Sequence, residues 1–320
     1  MLAYFASLSP AALLRACPGG IAQGLIWGIM ALGVFLTFRM LRFSDLTVDG
    51  SFATGGAVCI MLVLNGWNPE VALLISFIAG LLTGVVTGLL HTLLGIPDIL
   101  AGILSQISLY SINLNIMGRA NQSVNINKIS FHITSNAKVL PWTILIVAVC
   151  GLIIIALLYW YLGTEQGSAI RATGTNPNMA RAQGISTDFM KVITLALSNG
   201  LVALAGGMLS QYQGFADVSM GRGAIVVGLA AVIIGEVLGD AILGKHMNFM
   251  MRLIFVALGG VIYYIVYVFV LWLKFPADDM KLLTAIVVAI FLAVPYLQGK
   301  RKSSFSHLAK QNARNAKEGK

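Results

Sequence analysis

Apolar runs of about 20 residues, the length that crosses ~30 Å of hydrocarbon, recur along the chain with short polar clusters between them. The pattern predicts nine spans, at about 20–38, 46–64, 70–94, 97–116, 141–162, 191–212, 223–243, 250–273 and 280–297. Two of them are poor as simple membrane helices. The second opens Asp45-Leu-Thr-Val-Asp-Gly-Ser-Phe-Ala-Thr-Gly-Gly56, with two carboxylates and three glycines ahead of a short apolar stretch, and the seventh is introduced by Asp217-Val-Ser-Met-Gly-Arg-Gly223. A carboxylate at the centre of a lipid-facing helix costs about 2.5–3.5 kcal/mol. Both segments are therefore expected to line protein or water, as broken helices do. Each follows a Gly-rich span, 20–38 and 191–212, of opposite inferred direction. That placement hints at an inverted internal repeat, although ordinary interface loops would look the same locally.

Small residues recur every fourth position at Gly20, Gly24 and Gly28, at Gly80, Gly84 and Gly88, and at Gly235 and Gly239. Lipid supplies no hydrophobic drive between helices, so close approach must come from van der Waals contact at such positions. Packing seams within one chain are expected from them rather than a dimer interface.

Composition settles the class. Of 320 residues 58% are hydrophobic and 10% charged, against about 25% charged in a soluble domain. The fold class is an all-α polytopic membrane protein. The net charge of +9 is not a nucleic-acid signature, because seven cations (Lys300, Arg301, Lys302, Lys310, Arg314, Lys317 and Lys320) crowd one tail. Such a tail suits a flank against anionic lipid headgroups, or a solvated disordered end. A C-terminus inside the cell adds Arg39, Arg42, Arg171, Arg181, Lys191, Lys245 and Arg252 to the same side, 14 of the 21 cations. The bias of positive residues toward the cytoplasm then gives N-terminus out and C-terminus in, which an odd number of spans satisfies. The expected organisation is a transmembrane domain, 1–298, and a basic tail, 299–320. Cys17, Cys59 and Cys150 lie far apart in apolar sequence and form no metal or disulfide pattern. The first twenty residues lack a basic n-region and a clean cleavage pattern, so no removable signal peptide is expected.

Candidate chemistry is sparse. The span 97–116 carries Asp98, Ser105, Gln106, Ser108, Tyr110, Ser111, Asn113 and Asn115. At 100° per residue, Gln106, Tyr110 and Asn113 fall within about 60° of one another, with Ser108, Ser111 and Asn115 nearly opposite. The first stripe is expected to line a translocation path and the second to pack on neighbouring helices; interhelical hydrogen bonds alone would explain both. Asp45 and Asp49 could bind a cation or an amine, yet they fall near the inferred cytoplasmic entrance, where a solvated helix N-terminus accounts for acidic residues without a ligand. His91 reads as structural. Glu236 and Asp240, one turn apart, could form a proton relay, though snorkelling or a pair with Lys245 is simpler. The run Gly239-Asp-Ala-Ile-Leu-Gly-Lys-His246 nearly matches a phosphate loop but ends in His and follows a membrane span, so it is rejected. No nucleophile–base pair or metal-binding motif is present, and neither catalysis nor a cofactor is expected.

The loop 163–190 is different. Thr175-Asn-Pro-Asn offers a cap and a helix-permissive proline before Met-Ala-Arg-Ala-Gln, and Gly184 stops the turn. A short, capped cytoplasmic helix carrying Arg181 is predicted, compact enough to insert into a groove on a partner.

These residues carry a resemblance. Arg171-Ala-x-Gly-x-Asn-Pro-x-x-Ala-Arg-x-x-Gly-Ile185 resembles the coupling-helix motif of ABC-importer permeases of the branched-chain amino acid/ribose type, and Leu41 through Gly56 looks like a subgroup linked to aromatic amino acid uptake. The resemblance covers most of 20–297; the loop 117–140 and the tail fall outside it. It implies a permease of the bacterial plasma membrane, paired as a homodimer with a cytoplasmic ATPase and fed by an external substrate-binding lipoprotein. Arg171, Gly174, Asn176, Pro177, Ala180, Arg181, Gly184 and Ile185 would contact the ATPase. Asp49, Gln106, Tyr110 and Asn113 would lie on the path of a small polar solute, most simply an amino acid. The competing expectation is an ion- or proton-coupled secondary transporter using Asp49, Glu236 or Asp240; a membrane enzyme is disfavoured because no catalytic constellation is present.

Overall fold

A computed structural model of the chain describes residues 10–124, 140–244 and 247–273, with Leu282, Ala285, Ile286, Ala289 and Ala293 beyond them. The chain divides into two compact units, Met1–Leu273 and Lys274–Lys320. In the second unit the five described positions are helical; the ninth expected span and the basic tail otherwise lie outside the described residues.

The first unit holds α1 (Pro10–Val34), which runs on as a π-helical turn, Phe35–Leu41, then α2 (Thr47–Leu64), α3 (Pro69–Thr92) and α4 (Asp98–Met117). After β1 (Asn121–Ser123) come α5 (Leu140–Leu162), two short helices α6 (Glu165–Thr175) and α7 (Pro177–Ala182), and the long α8 (Thr187–Gln213). Strand β2 (Phe215–Asp217), α9 (Ala224–Leu243) and α10 (Phe249–Trp272) complete it. Eight of these helices are long and apolar enough to cross a membrane, and each overlaps one of the first eight expected spans. The strands are an addition that the apolar pattern did not carry: β1 pairs antiparallel with β2, Gln122 opposite Ala216.

The helices differ in how much of them is covered. About three quarters of the best membrane window of α1, α2 and α8 is buried (78%, 72% and 72%), whereas α5 buries only 22%. A central group therefore carries the core, around Ile26, Met30, Phe52, Ile60, Val202 and Met208, and α5 faces outward with Trp142, Leu152 and Trp160 exposed.

The glycine ladders form the seams of that group. A Cβ at Gly24 would stand 2.6 Å from Val261 Cα, and one at Gly28 would meet the Ala257 backbone, so α1 lies directly on α10. Gly80 faces Asn199 and Gly200, Gly84 faces Leu195 and Ala196, and Gly88 faces Val192, which lays α3 antiparallel along α8. Gly235 meets Phe255 and Val256 and holds α9 to α10. All three ladders are intrachain contacts.

The neighbour pattern is that of an internal repeat. Helix α3 lies on α8 as α10 lies on α1; α2 packs on α3 as α9 packs on α10; and α1 and α8 pack on each other. Exchanging the triplet α1–α2–α3 for α8–α9–α10 leaves these neighbours unchanged. Gly33 of α1 meets Ser198 of α8 while Gly19 meets Tyr212, so the two first members run antiparallel. The triplets thus have opposite directions, as the placement of the two broken spans suggested.

The seams give a stability test. Gly84→Leu places side-chain atoms against the Leu195 carbonyl, an overpacking that costs about 1–3 kcal/mol. Thermal unfolding in detergent should shift down by several degrees, whereas Leu82→Ala, at a position 62% exposed, should leave the transition nearly in place.

Candidate functional site

Two helices begin inside the bundle, and two carboxylates of one short stretch satisfy them. The first N–H groups of a helix have no intrahelical acceptor. Helix α2 has no side-chain cap from its own N-cap residue, Leu46; Asp45 Oδ1 accepts from the Thr47 N–H at 2.9 Å instead. Helix α9 starts from Gly223 in the left-handed region (φ 86°), which has no side chain to offer. Its cap comes from α2: Asp49 Oδ2 accepts from the Gly223 N–H and Oδ1 from the Ile225 N–H, both at 2.9 Å.

Both acids therefore sit at helix N-termini, Asp45 buried and Asp49 half-buried beside a cavity. Asp45 is buried and accepts hydrogen bonds from Thr47 and Asn199. Asp49 is not at an entrance, because the helix it caps begins with the turn that follows β2. The expected place of Asp49 near the cytoplasmic entrance is corrected by this contact.

A buried polar network continues from Asp45. Asn199 Nδ2 donates to Asp45 Oδ2 at 2.7 Å, and Ser51 Oγ donates to Asn199 Oδ1 at 2.7 Å. Ser51 also meets Thr83 at 2.7 Å, while Thr47 meets Thr87 at 2.9 Å and Thr87 donates to Ser105 at 2.7 Å. Helices α2, α3, α4 and α8 are thereby tied at the level where α2 begins.

A cavity of about 350 Å³ opens beside this junction. Asp49, Gln106, Tyr110 and Asn113, the four residues expected on a path, all line it, together with Val218 and Arg222. Asn113 is fully buried, and neither its Oδ1 nor its Nδ2 has a hydrogen-bond partner among the described residues. Tyr110 is 44% exposed. Arg222 is exposed and acts on Asp217: burial pushes that carboxyl up, but hydrogen bonds from Ser219 and Asn121 and the Arg222 charge outweigh it and hold it low.

The opposite stripe of α4 is not where it was expected. Ser108, Ser111 and Asn115 are exposed, while Ala101, Gly102, Ser105, Leu109, Asn113 and Met117 form the packed face. The reason is steric. A Cβ on Gly102 would press on Leu46 and one on Gly50 would press on Gln106 and Leu109, so α2 seats against the smallest side of α4.

The 163–190 segment is more structured than one short helix. Thr164 opens α6, and Thr175 Oγ1 donates back to the Arg171 carbonyl rather than capping the next helix. Asn176 is the cap of α7: its Oδ1 accepts from the Met179 N–H at 3.1 Å, with Pro177 in the first turn. Gly184 (φ 80°) closes α7, the Ile185 N–H reaching back to the Ala180 carbonyl at 3.0 Å. Ala180 is buried and Met179 is 62% exposed. Arg181 is committed internally: Nε donates to Thr187 Oγ1 at 2.7 Å and Nη2 to Asp188 Oδ1 at 3.3 Å, stapling α7 to the start of α8. Arg171 lies 5.9 Å over the Phe249 ring, and Gly174 sits against the Met40 carbonyl, where a Cβ would collide. Arg171, Asn176, Met179, Ala180 and Ile185 frame a groove of about 310 Å³.

The remaining acids do not form a relay. Glu236 Oε1 accepts from Arg39 Nε at 2.9 Å, and Asp240 is exposed. His91 is structural: Nδ1 faces the Ile96 carbonyl at 2.8 Å and Nε2 faces Lys191 Nζ at 2.9 Å. Helix α9 runs without a break through 239–243, so the first five residues of the near-match to a phosphate loop are helical.

The comparisons fit this arrangement. Residues 18–294 match the family described as "Branched-chain amino acid transport system / permease component". The chain belongs to that family. A tyrosine transport system permease protein of Clostridioides difficile (strain R20291) is 37% identical over 275 residues, 85% of this chain and 89% of that one. The autoinducer 2 import system permease protein LsrC of Salmonella typhimurium is 29% identical over 195 residues, 58% of this chain and 53% of its own. Among solved structures, PsaBC from Streptococcus pneumoniae in complex with Fab matches at a TM-score of 0.51 and 14% identity, over 91% of this chain and 94% of that one, which speaks to the fold alone.

The protein is thus the permease component of an ABC importer for a small solute, a multi-pass protein of the bacterial plasma membrane. It is a transport component rather than an enzyme, and its family works with a partner ATPase and a substrate-binding protein. In the permease, sequence reasoning missed Arg222, Asn199 and the π-helical turn. Arg222 stood in the segment already read as a broken-helix entry, so the signal for it was within reach. The Asn199 contact spans 154 positions and had no local signature.

Removing a cap tests the junction. Asp45→Ala takes away the α2 cap, worth about 1 kcal/mol, and strips one of the two Asn199 Nδ2 hydrogens of its acceptor, the other still donating to the Leu195 carbonyl. The melting temperature of the detergent-purified permease should fall clearly, and Asp45→Asn, which keeps an acceptor for Thr47, should fall less.

Proposed function

We propose that the permease moves an aromatic amino acid, of which tyrosine is the model, into the cell as a homodimer driven by two cytoplasmic ATPases and supplied by an external binding lipoprotein. The tyrosine permease of C. difficile, aligned over 85% of this chain, supports the solute class. The observation that carries the path is the single cavity that gathers Asp49, Gln106, Tyr110 and Asn113 beside two helix N-termini. Half-helix termini turned toward a cavity are how transporters present polar backbone at membrane depth.

The Lys/Arg distribution puts α6 and α7 inside the cell. There Arg171, Gly174, Asn176, Pro177, Ala180, Arg181, Gly184 and Ile185 shape a knob for the ATPase. Met179 presents its outermost apolar surface, while Arg181 holds the knob in register by its staple to α8. Closure of the ATPases on ATP would push the knob against the π-helical end of α1 through Gly174 and Met40. That turn ends at Arg42 in the left-handed region (φ 55°), a strained backbone for a residue with a side chain. It leads directly to Asp45 and the α2 cap. A stroke at the knob thus reaches the two caps and the cavity wall, and no group in the chain needs to do covalent chemistry.

The exposed polar side of α4, with Ser108, Ser111 and Asn115, is poorly suited to lipid. A second copy of the chain placed across that side would cover it, which favours the homodimer. Anionic headgroups at the basic tail complete the membrane environment.

The coupling assignment is tested at its tip. Met179→Asp changes a side chain that is exposed and makes no internal hydrogen bond in the structure. It should leave membrane insertion and melting temperature unchanged and reduce ATPase co-purification about tenfold or more, the order expected when a charge replaces a buried apolar anchor. Arg181→Glu, which breaks the staple, should also lose the ATPase. Normal co-purification of both variants would contradict the coupling role.

A further inference from the structure

We infer that the cavity between α2, α4 and the start of α9 is a recognition site for the zwitterionic head of a free α-amino acid, with Arg222 taking the carboxylate, Asp49 the ammonium and Asn113 a further polar group. This rests on the importer reading above and adds a solute-binding role to what that reading treats as a passage wall.

Three observations carry it. The first is chemical balance. Asp49 is the acid and Arg222 the base among the residues that line the cavity, and the rest are amides, hydroxyls and apolar groups. A solute with only one charged group would strip water from the opposite wall charge without replacing it, which is unfavourable. A zwitterion satisfies both. The second is unused capacity. A carboxylate offers about four acceptor directions, and capping α9 occupies two of them. Capping and ammonium binding are therefore compatible, and the cap fixes the orientation of the free lone pairs.

The third observation is the orphaned amide. Asn113 is wholly buried with donor and acceptor both unpartnered, although leaving such groups unsatisfied costs roughly 1–3 kcal/mol each. The other buried amides among the described residues, Asn199 and Gln211, both have partners. An apolar residue at position 113 would serve packing better, so the amide has a use that packing does not supply. A ligand carrying a donor and an acceptor meets it. The volume of about 350 Å³ is at the lower end of the ~300–1,000 Å³ of small-molecule sites. It fits one amino acid and not a peptide.

Direct protection tests the site. In the full permease–ATPase complex with Cys17, Cys59 and Cys150 replaced by alanine, Ile107→Cys on the cavity wall would be alkylated with a polar maleimide. L-tyrosine at ten times its dissociation constant should slow alkylation about tenfold. Tyramine, which lacks the carboxylate, and 3-(4-hydroxyphenyl)propionate, which lacks the amine, should not do so at the same concentration. Adding Arg222→Gln or Asn113→Leu should abolish protection. Absence of protection by L-tyrosine, equal protection by tyramine, or protection that survives both second substitutions would overturn the assignment. Uptake into proteoliposomes holding the complete importer separates the two readings. If the parent complex takes up no labelled tyrosine, the proposed solute class fails. If it does, and the Arg222→Gln and Asn113→Leu variants match its rate, the importer stands and the recognition site falls.

Discussion

A helix that starts inside a membrane protein leaves its first N–H groups without intrahelical acceptors, and the whole arrangement depends on how this chain answers that demand. Asp45 and Asp49, one turn apart, accept from the first N–H groups of two different helices, α2 and α9. Because one stretch caps both, the two broken helices cannot shift independently. Their meeting point is fixed in space, and the cavity is the room left where two helix ends come together instead of two helix sides. The buried Asp45–Asn199–Ser51 chain then anchors that point to α8, the most contacted helix of the core.

Around this junction the bundle divides into stiff and adjustable parts. Where Gly24, Gly84 and Gly235 bring backbones together, helices share surfaces too close for sliding, and pairs such as α1–α10 and α3–α8 behave as units. Several polar ties between helices, such as Ser51–Thr83 and Thr87–Ser105, are hydroxyl pairs, whose hydrogen bonds can be exchanged with modest loss. Alternating exposure of a site needs such a partition, since rigid units can rock only where their contacts can be remade.

Much of the fold was legible because its signals are local and redundant. Twenty-residue apolar runs mark spans whatever lies beside them, glycines at every fourth position announce seams, and Asn176-Pro177 with Gly184 writes both ends of α7. That Gln106, Tyr110 and Asn113 fall on one side of α4 was readable from helical periodicity alone, since they share a direction in any helix. What that direction faces was not. The burial of Asn113 and the exposure of Ser108 and Ser111 depend on where α2 seats, and that depends on Gly50 and Gly102, residues with no polarity to notice. The partner of Asp49 lies 174 and 176 positions away, beyond any periodic pattern. The π-helical turn and the β1–β2 pair were equally silent, being three to seven residues long with no distinctive composition.

The bond-free contact of Gly174 with the Met40 carbonyl has a mechanical meaning. Side chains that transmit a push can yield by changing rotamer, so part of any displacement is lost on the way. Here main chain bears on main chain, and the only compliance left is that of the peptide units themselves. Such a joint behaves like a rigid pushrod rather than a spring, and it converts small travel at the surface of the protein into equally small, undamped travel at the end of α1.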